Sequence, residues 1–189
     1  MKVLGLSGSP RLGGNTDQLL TEALRGARHA GAEVKTVYVC DMDINPCQHC
    51  SYCCNTGECK TIDDMVRFYE ELESADRLVI TSPLHFMSVT AQLKTLIDRG
   101  QSRWARKYLF KMPPLGDDKE RKALFMCVGG MQLRNQWQAV EATVKAWLVC
   151  HDIKLTQELT YSGVDIAGAI KKHPTALAEA FAAGQELIG

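Results

Sequence analysis

Short apolar runs alternate with helical patterns along this chain of 189 residues, and that alternation limits the folds open to it. Residues 3–6, 78–80 and 123–128 are continuously apolar, whereas residues 33–39 and 153–159 alternate with polar side chains. Strands separated by helices predict a parallel sheet with both faces covered. Inner strands of such a sheet are continuously apolar. The alternating segments are therefore assigned to the edges, and the predicted strand order is 2-1-3-4-5.

Helices are predicted between and after these strands, from apolar residues at helical spacing and from nearby Gly or Pro. They cover residues 15–30, 63–74, 91–99, 136–150 and 175–187. Residues 100–121 are predicted to be irregular, because Pro113-Pro114 and Gly116-Asp117 break regular structure. The length suits one α/β domain over residues 1–189.

Charge and hydropathy exclude several classes of partner. The chain has 22 Lys and Arg against 22 Asp and Glu, so its charge predicts neither a nucleic acid nor an anionic membrane as partner. No apolar run approaches the length that spans a bilayer. The first residues enter a strand without a signal-peptide pattern, which predicts a cytoplasmic protein.

The loop between the first strand and the first helix combines glycines with hydroxyl, amide and guanidinium groups. Unpaired N–H groups and the helix dipole favour an anion at a helix N-terminus, and Arg side chains pair well with phosphate. Asn15 is predicted to cap the helix, and the Asp17 carboxylate is predicted to point away from a phosphate. The predicted phosphate-site residues are Ser7, Ser9, Arg11, Asn15 and Thr16.

An ordinary strand-to-helix turn is the alternative for this loop. The loop lacks the Gly-Lys-Ser/Thr ending of nucleotide triphosphatases and the Gly-x-Gly-x-x-Gly spacing of dinucleotide-binding loops. Several loop hydroxyls together with Arg11 exceed what a plain helix cap requires. The phosphate interpretation is therefore preferred.

Two motifs resemble those of the flavodoxin-like NAD(P)H-dependent FMN reductases. Gly8-Ser9-Pro10-Arg11 with Gly14-Asn15-Thr16 matches their FMN-phosphate loop, and Ser82-Pro83-Leu84-x-Phe86 opens a second motif that runs to Arg99. These reductases usually have tyrosine at the position of His85. The resemblance implies a flavodoxin-like three-layer fold, an FMN cofactor, NAD(P)H as co-substrate, and FMN at the switch point between strands 1 and 3.

The loops after strands 3 and 4 are predicted to form the walls around the flavin ring. A flavin ring needs a flat apolar surface and backbone N–H groups near its polar edge. His85 is a candidate donor to the flavin N1–O2 edge, with a purely structural role as the alternative. No side chain is assigned as a catalytic acid or base, because flavin N5 carries the chemistry. The predicted contacts are Pro83, Leu84, His85, Phe86, Met87, Gly129 and Gly130.

Five of the eight cysteines lie between positions 47 and 59, in a predicted cysteine-rich loop over residues 40–62. In a cytosolic chain, clustered cysteines indicate a metal or redox site rather than disulfides. Four of them follow a Cys-x2-Cys-x2-Cys-x5-Cys spacing, which suits a 4Fe-4S cluster and resembles the compact cluster motif of the iron–sulfur flavoproteins, a branch of the same family. Zinc, with four thiolates or with three and His49, and no metal at all are the alternatives. The predicted ligands are Cys47, Cys50, Cys53 and Cys59.

These observations predict an FMN-dependent oxidoreductase that exchanges electrons with a small-molecule or electron-carrier partner. The alternatives are a flavodoxin-like electron carrier without its own substrate, and a zinc-binding interaction domain on the same fold. Trp104, Tyr108, Leu109 and Phe110 fall in the segment predicted to be irregular, which favours contacts within a homodimer or homotetramer. A lid over the chain's own flavin is the alternative for that segment.

Overall fold

The computed structural model describes residues 1–114 and 119–189 and contains one sheet of five parallel strands. Their order is β2-β1-β3-β4-β5, which confirms the predicted order and the flavodoxin-like fold. The strands are β1 (Lys2–Ser7), β2 (Glu33–Tyr38), β3 (Arg77–Pro83), β4 (Arg121–Gly129) and β5 (Ile153–Ser162).

Two inner strands begin with a buried arginine that lies before the apolar run from which the strand was predicted. Arg77 and Arg121 are only 8% and 6% exposed. Arg77 donates hydrogen bonds to the carbonyl oxygens of Leu187 and Glu120 at 2.8 and 2.9 Å, and Arg121 donates to that of Glu73 at 2.6 Å. These bonds compensate the burial of each charge and extend the strands beyond the predicted runs.

Helices cover both faces of the sheet. The first face carries α1 and α7, and the second carries α3, α4 and α6. Each face packs its own apolar core against the sheet, and Cys127 of β4 lies fully buried in the second, as expected of a core residue. The helices are α1 (Asn15–His29), α2 (Tyr52–Thr56), α3 (Met65–Ser74), α4 (Ala91–Arg99), α5 (Gln101–Trp104), α6 (Gln138–Cys150) and α7 (Ala176–Glu186).

The first face depends on a close crossing between α1 and α7. An ideal Cβ at Gly26 would stand 2.0 Å from the carbonyl oxygen of Phe181, and one at Gly184 would stand 1.9 Å from that of Ala23. Both distances are far below van der Waals contact, so the two backbones approach as closely as they do only because each helix has glycine at the crossing point.

The prediction of an irregular segment over residues 100–121 is wrong for its first part. Helix α5 continues into a π-helical turn at Ala105–Leu109, and Ala105 is fully buried. Residues 110–114 lack regular structure, as predicted, and the predicted break at Gly116-Asp117 lies outside the described residues. None of the helices in residues 1–114 and 119–189 is both long enough and apolar enough to cross a bilayer.

Candidate functional site

A cleft of about 680 Å³ opens where β1, β3, β4 and β5 end, at the carboxyl edge of the sheet. It brings together the loop after β1 and the loop after β3, which lie far apart in sequence. Most of the residues predicted to bind FMN line this cleft. The lining residues are Ser9, Pro10, Arg11, Gly14, Asn15, Thr16, Pro83, Leu84, His85, Val128, Gly130, Val164 and Asp165.

The N-terminus of α1 forms one end of the cleft without a side-chain cap. Gly14, not Asn15, is the N-cap residue, and no side chain accepts a hydrogen bond from the first turn. The prediction that Asn15 caps this helix is therefore wrong. Ser9 and Thr16 are buried beside the helix start, and the Arg11 side chain is exposed at its rim. The first N–H groups of the helix are left to an anion or to water.

Ser7 stabilises the loop from below instead of lining the cleft. Its hydroxyl donates to Asp17 Oδ1 at 2.5 Å, and the N–H of Gly13 donates to Asp17 Oδ2 at 2.7 Å. Asp17 is thereby turned inward, only 6% exposed, which agrees with the predicted orientation of its carboxylate. The first of these bonds uses the Ser7 hydroxyl as a donor, so the structure does not place it among the groups that face a ligand.

Asn15 connects the first loop to the loop after β5. Its Nδ2 donates to the carbonyl oxygen of Ile166 at 3.0 Å, and its Oδ1 accepts from the N–H of Ile170 at 3.2 Å. These two hydrogen bonds bring Val164 and Asp165 into the cleft wall. Sequence analysis missed these two residues, because no local motif marks a segment whose partner is 151 residues away.

Phe86 and Met87 do not line the cleft, contrary to the prediction that they form its apolar wall. They occupy the centre of a tight turn in which His85 and Ser88 exchange backbone hydrogen bonds at 2.9 and 3.0 Å. Both residues have positive φ, 47° and 65°, and Phe86 is fully exposed. A two-residue turn of this kind favours Asn-Gly, so two bulky side chains make it strained.

The loop after β4 contributes less to the cleft than predicted. Gly130 lines it, whereas Gly129 packs behind it, where an ideal Cβ would stand 3.1 Å from the ring of Trp137 and 3.3 Å from the side chain of Leu84. Of the residues that were predicted to contact the flavin ring, Pro83, Leu84 and His85 line the cleft together with Gly130.

A second pocket, of about 510 Å³, lies in the cysteine loop. All four predicted ligands, Cys47, Cys50, Cys53 and Cys59, line it, together with His49 and Cys54. All of the cysteines are free thiols. In residues 1–114 and 119–189, no three His, Cys, Asp or Glu side chains are already arranged to hold a metal ion.

The thiols of this pocket influence one another electrostatically. Burial raises the pKa of Cys53 above its usual value, and the neighbouring Cys54, Cys59 and Cys47 raise it further. A cation that neutralised several thiolates would remove this repulsion. The donor set is therefore chemically suited to a positively charged metal centre.

A buried ion pair closes the base of the cysteine loop. Arg99 of α4 pairs with Asp63, and its guanidinium also donates to the carbonyl oxygens of Asn45 and Thr61 at 2.9 and 3.1 Å. Asn45 precedes the first cysteine of the pocket and Thr61 follows the last. One arginine therefore holds both ends of the loop against α4, the helix that follows the loop after β3.

The sequence matches known proteins over most of its length. The family model described as NADPH-dependent FMN reductase matches residues 1–152. An iron-sulfur flavoprotein of Methanocaldococcus jannaschii is 38% identical over 170 residues, which cover 89% of this chain and 78% of that protein. Another from Methanosarcina thermophila is 29% identical over 86% of this chain and 81% of its own length. With a second M. jannaschii iron-sulfur flavoprotein the match is 42% identical but spans only about half of each protein, 53% and 52%.

Solved structures support the same fold. An NAD(P)H:quinone oxidoreductase from Methanothermobacter marburgensis superposes with a TM-score of 0.77 at 20% identity, over all of this chain and 96% of that one. A flavone reductase superposes with a TM-score of 0.71 at 21% identity, over all of this chain and 62% of that one. At these identities the likeness concerns the fold alone.

Proposed function

Because this chain belongs to the NADPH-dependent FMN reductase family, we propose that it is an FMN-dependent oxidoreductase that takes electrons from NAD(P)H. FMN, when bound, supplies both hydride and single-electron transfer. The protein supplies the binding site, the electrostatic setting and the exclusion of competing reactions. The acceptor in this proposal is a small molecule or an electron-carrier protein.

The uncapped N-terminus of α1 is the observation that carries the proposal. Its first N–H groups face a cleft, not solvent alone, and have no side-chain partner. A phosphate there would accept from these N–H groups and from the Ser9 and Thr16 hydroxyls, and would pair with the Arg11 guanidinium. The uncapped N–H groups of the helix support a phosphate at this place, whereas the Ser9 hydroxyl donates to the carbonyl oxygen of Arg11 at 2.9 Å and would exchange that bond for one to the phosphate.

The rest of the cleft suits a flat heterocycle. Pro83 and Leu84 supply apolar surface and Gly130 leaves a side-chain-free wall, while His85 adds a polar group. We assign to His85 a hydrogen bond to the N1–O2 edge of the flavin ring. We keep Ser7, Phe86, Met87 and Gly129 as predicted contacts of the loaded protein, although they lie outside the wall of this cleft.

Steady-state turnover distinguishes the enzyme from the electron carrier. The purified protein is loaded with FMN, and oxidation of NADH and NADPH is followed with a quinone, free flavin or ferricyanide as acceptor. Turnover that depends on FMN supports the oxidoreductase. FMN binding without any oxidation of pyridine nucleotide indicates the carrier, and a protein that binds no flavin contradicts both.

We also propose that Cys47, Cys50, Cys53 and Cys59 hold a 4Fe-4S cluster, which would supply single-electron transfer beside the flavin. Three features support this assignment. The relatives named above are iron-sulfur flavoproteins, the four thiols line one pocket, and that pocket is anchored by the buried Arg99. Partial exposure of the thiols predicts that oxygen would damage such a cluster.

Metal analysis after anaerobic purification and reconstitution tests this assignment. About four iron and four sulfide per chain, lost in Cys50→Ser, are expected for the cluster. The matched control is Cys54→Ser, which removes a thiol of the same pocket that lies outside the ligand spacing and should retain the iron. One zinc per chain without iron indicates the structural metal site instead, and the absence of both metals indicates a cluster-free reductase.

We propose that the protein forms a homodimer or homotetramer in the cytoplasm. Tyr108, Leu109 and Phe110 are 45%, 49% and 41% exposed, an apolar patch of the kind that usually marks a contact. Phe110 lies beside Gly57 of the cysteine loop, so the patch adjoins that loop and a lid over the flavin cleft is disfavoured. If light scattering shows a monomer at micromolar concentration, the proposed oligomer is contradicted.

A further inference from the structure

One carboxylate lies in the cleft without a role in the function proposed above. Asp165 follows β5, and its side chain lies against Gly130, where an ideal Cβ would stand 3.0 Å from the Asp165 Cβ and 3.3 Å from its Oδ1. Asp165 is exposed, and in the part of the chain that the structure describes no hydrogen bond or ion pair engages its carboxylate. Gly130 therefore makes room for an acid whose carboxylate has no hydrogen-bond or ion-pair partner among residues 1–114 and 119–189.

Backbone contacts on both sides hold Asp165 in place. Immediately before it, the N–H of Val164 donates to the carbonyl oxygen of Gly129 at 3.1 Å. Immediately after it, the carbonyl oxygen of Ile166 accepts from Asn15 at 3.0 Å. The loop thus carries the carboxylate at a fixed position between the end of β4 and the start of α1.

A negative charge is also unexpected at the position of Asp165, in the wall of a cleft proposed to bind a phosphate. Among the described residues that line the cleft it is the one carboxylate, and Arg11 is the one guanidinium. The other nearby acid, Asp17, is turned inward onto Ser7 and Gly13. An acid at the wall of a site for an anionic phosphate opposes the binding of that phosphate, so the charge of Asp165 does not serve phosphate affinity.

We propose that Asp165 sets the reduction potential of the bound flavin, keeping it more negative than a neutral residue at the same place would. A flavin gains negative charge on reduction, and a carboxylate in its cleft disfavours that gain, by an amount that solvent screening at the exposed Asp165 side chain reduces. A more negative potential makes the reduced cofactor a stronger electron donor to its acceptor. This inference rests on the binding of FMN in the cleft, as proposed above.

Redox titration of the FMN-loaded protein tests the proposal without measuring turnover. The midpoint potential of the flavin is read spectroscopically against a reference dye for the wild type, Asp165→Asn, Asp165→Glu and Glu33→Gln. Asn has the shape of Asp without its charge, and Glu keeps the charge. Glu33 is an exposed acid at the start of β2, at the opposite edge of the sheet from the cleft, and serves as the charge-matched control.

We expect Asp165→Asn to move the potential to a more positive value, Asp165→Glu to stay near the wild type, and Glu33→Gln to leave it unchanged. An unchanged potential in Asp165→Asn, or an equal shift in Glu33→Gln, overturns the assignment. An FMN titration of the wild type comes first. If it shows no binding, the proposed function fails and this inference fails with it, whereas binding with an unchanged potential in Asp165→Asn contradicts the role of Asp165 alone.

Discussion

Arg99 and Asp63 form an ion pair in which the two side chains are only 2% and 3% exposed. A buried pair is retained without loss only when further hydrogen bonds satisfy its remaining donors and acceptors. Here the N–H groups of Asn45 and Met65 donate to Asp63 at 3.0 and 3.1 Å, and Arg99 donates to two loop carbonyl oxygens. The pair thereby fixes the cysteine loop to α4, the helix that follows the cleft loop after β3.

Removal of the Arg99 charge is expected to destabilise the protein strongly. Arg99→Leu leaves a buried carboxylate without its cation, which costs about 3–5 kcal/mol in the free energy of unfolding. Urea unfolding followed by circular dichroism measures this loss. The matched control is Arg67→Leu: Arg67 is 79% exposed and lies 3.8 Å from Glu71, and such surface pairs contribute about 1 kcal/mol or less. Equal losses in both variants would contradict the anchoring role of Arg99.

The same pair predicts a dependence of stability on pH. Burial by itself raises the pKa of Asp63, but the hydrogen bonds from Arg99 and from the Asn45 and Met65 N–H groups lower it more, so the net pKa is below 3.8. The stabilisation is therefore complete above the ordinary pKa of an aspartate, about 3.9, and is lost as pH falls through the lowered value. We expect the stability difference between wild type and Asp63→Asn to be constant near neutrality and to shrink below about pH 4.

Arg11 is expected to contribute to FMN affinity through the phosphate. Arg11→Ala should weaken binding by about 1.5–3 kcal/mol, the scale of a hydrogen bond to a charged group. Quenching of flavin fluorescence measures the affinity. Arg28→Ala is the control, because Arg28 is an exposed arginine in the last turn of the same helix. Riboflavin, which lacks the phosphate, should bind both variants alike, and an FMN affinity unchanged by Arg11→Ala would contradict the phosphate assignment.

Relief of the strained turn after β3 is expected to stabilise the protein. Met87 has φ of 65° without the freedom of glycine. The left-handed conformation costs a non-glycine residue about 1–2 kcal/mol, and Met87→Gly removes this cost. Because glycine also gives the unfolded chain more conformational entropy, the free energy of unfolding should rise by no more than about 1 kcal/mol. Ser88→Gly, one position beyond the positive-φ pair, should not stabilise. If Met87→Gly destabilises instead, Met87 has packing contacts that outweigh the strain.

The local pattern of apolar and polar residues was sufficient to predict the strand order of the sheet but not to predict all the residues of the site. The contrast between the alternating segment at residues 33–39 and the apolar run at residues 78–80 identified an edge strand and an inner strand, because burial on one or on both faces acts on each strand separately. The role of Asn15 could not be predicted in this way, because its partners lie 151 and 155 residues along the chain. Asp165 lies in the cleft wall because of that contact and of the hydrogen bond from the Val164 N–H to the carbonyl oxygen of Gly129, which is equally distant from any local motif.

The turn at Phe86 and Met87 shows a second limit. Two bulky residues after a strand were interpreted as an apolar wall, whereas the mutual hydrogen bonds of His85 and Ser88 place them in a turn that leaves Phe86 fully exposed and Met87 half-buried. The backbone of a two-residue turn decides the direction of its side chains, and neither side chain is one that such a turn prefers. Residue type alone therefore could not predict how this turn orients the two side chains.

The crossing of α1 and α7 is expected to tolerate no side chain at Gly184. A Cβ there would stand 1.9 Å from the backbone oxygen of Ala23, so no rotamer change relieves the clash and the helices must separate. Gly184→Ala should lower the free energy of unfolding by about 1–3 kcal/mol, although alanine is the better helix former by about 1 kcal/mol. The control is Ala182→Gly on the exposed side of α7, which should cost only the helix propensity. Since α1 begins at the cleft, displacement of this helix should also weaken FMN binding, and wild-type stability in Gly184→Ala would show that the close crossing is not required.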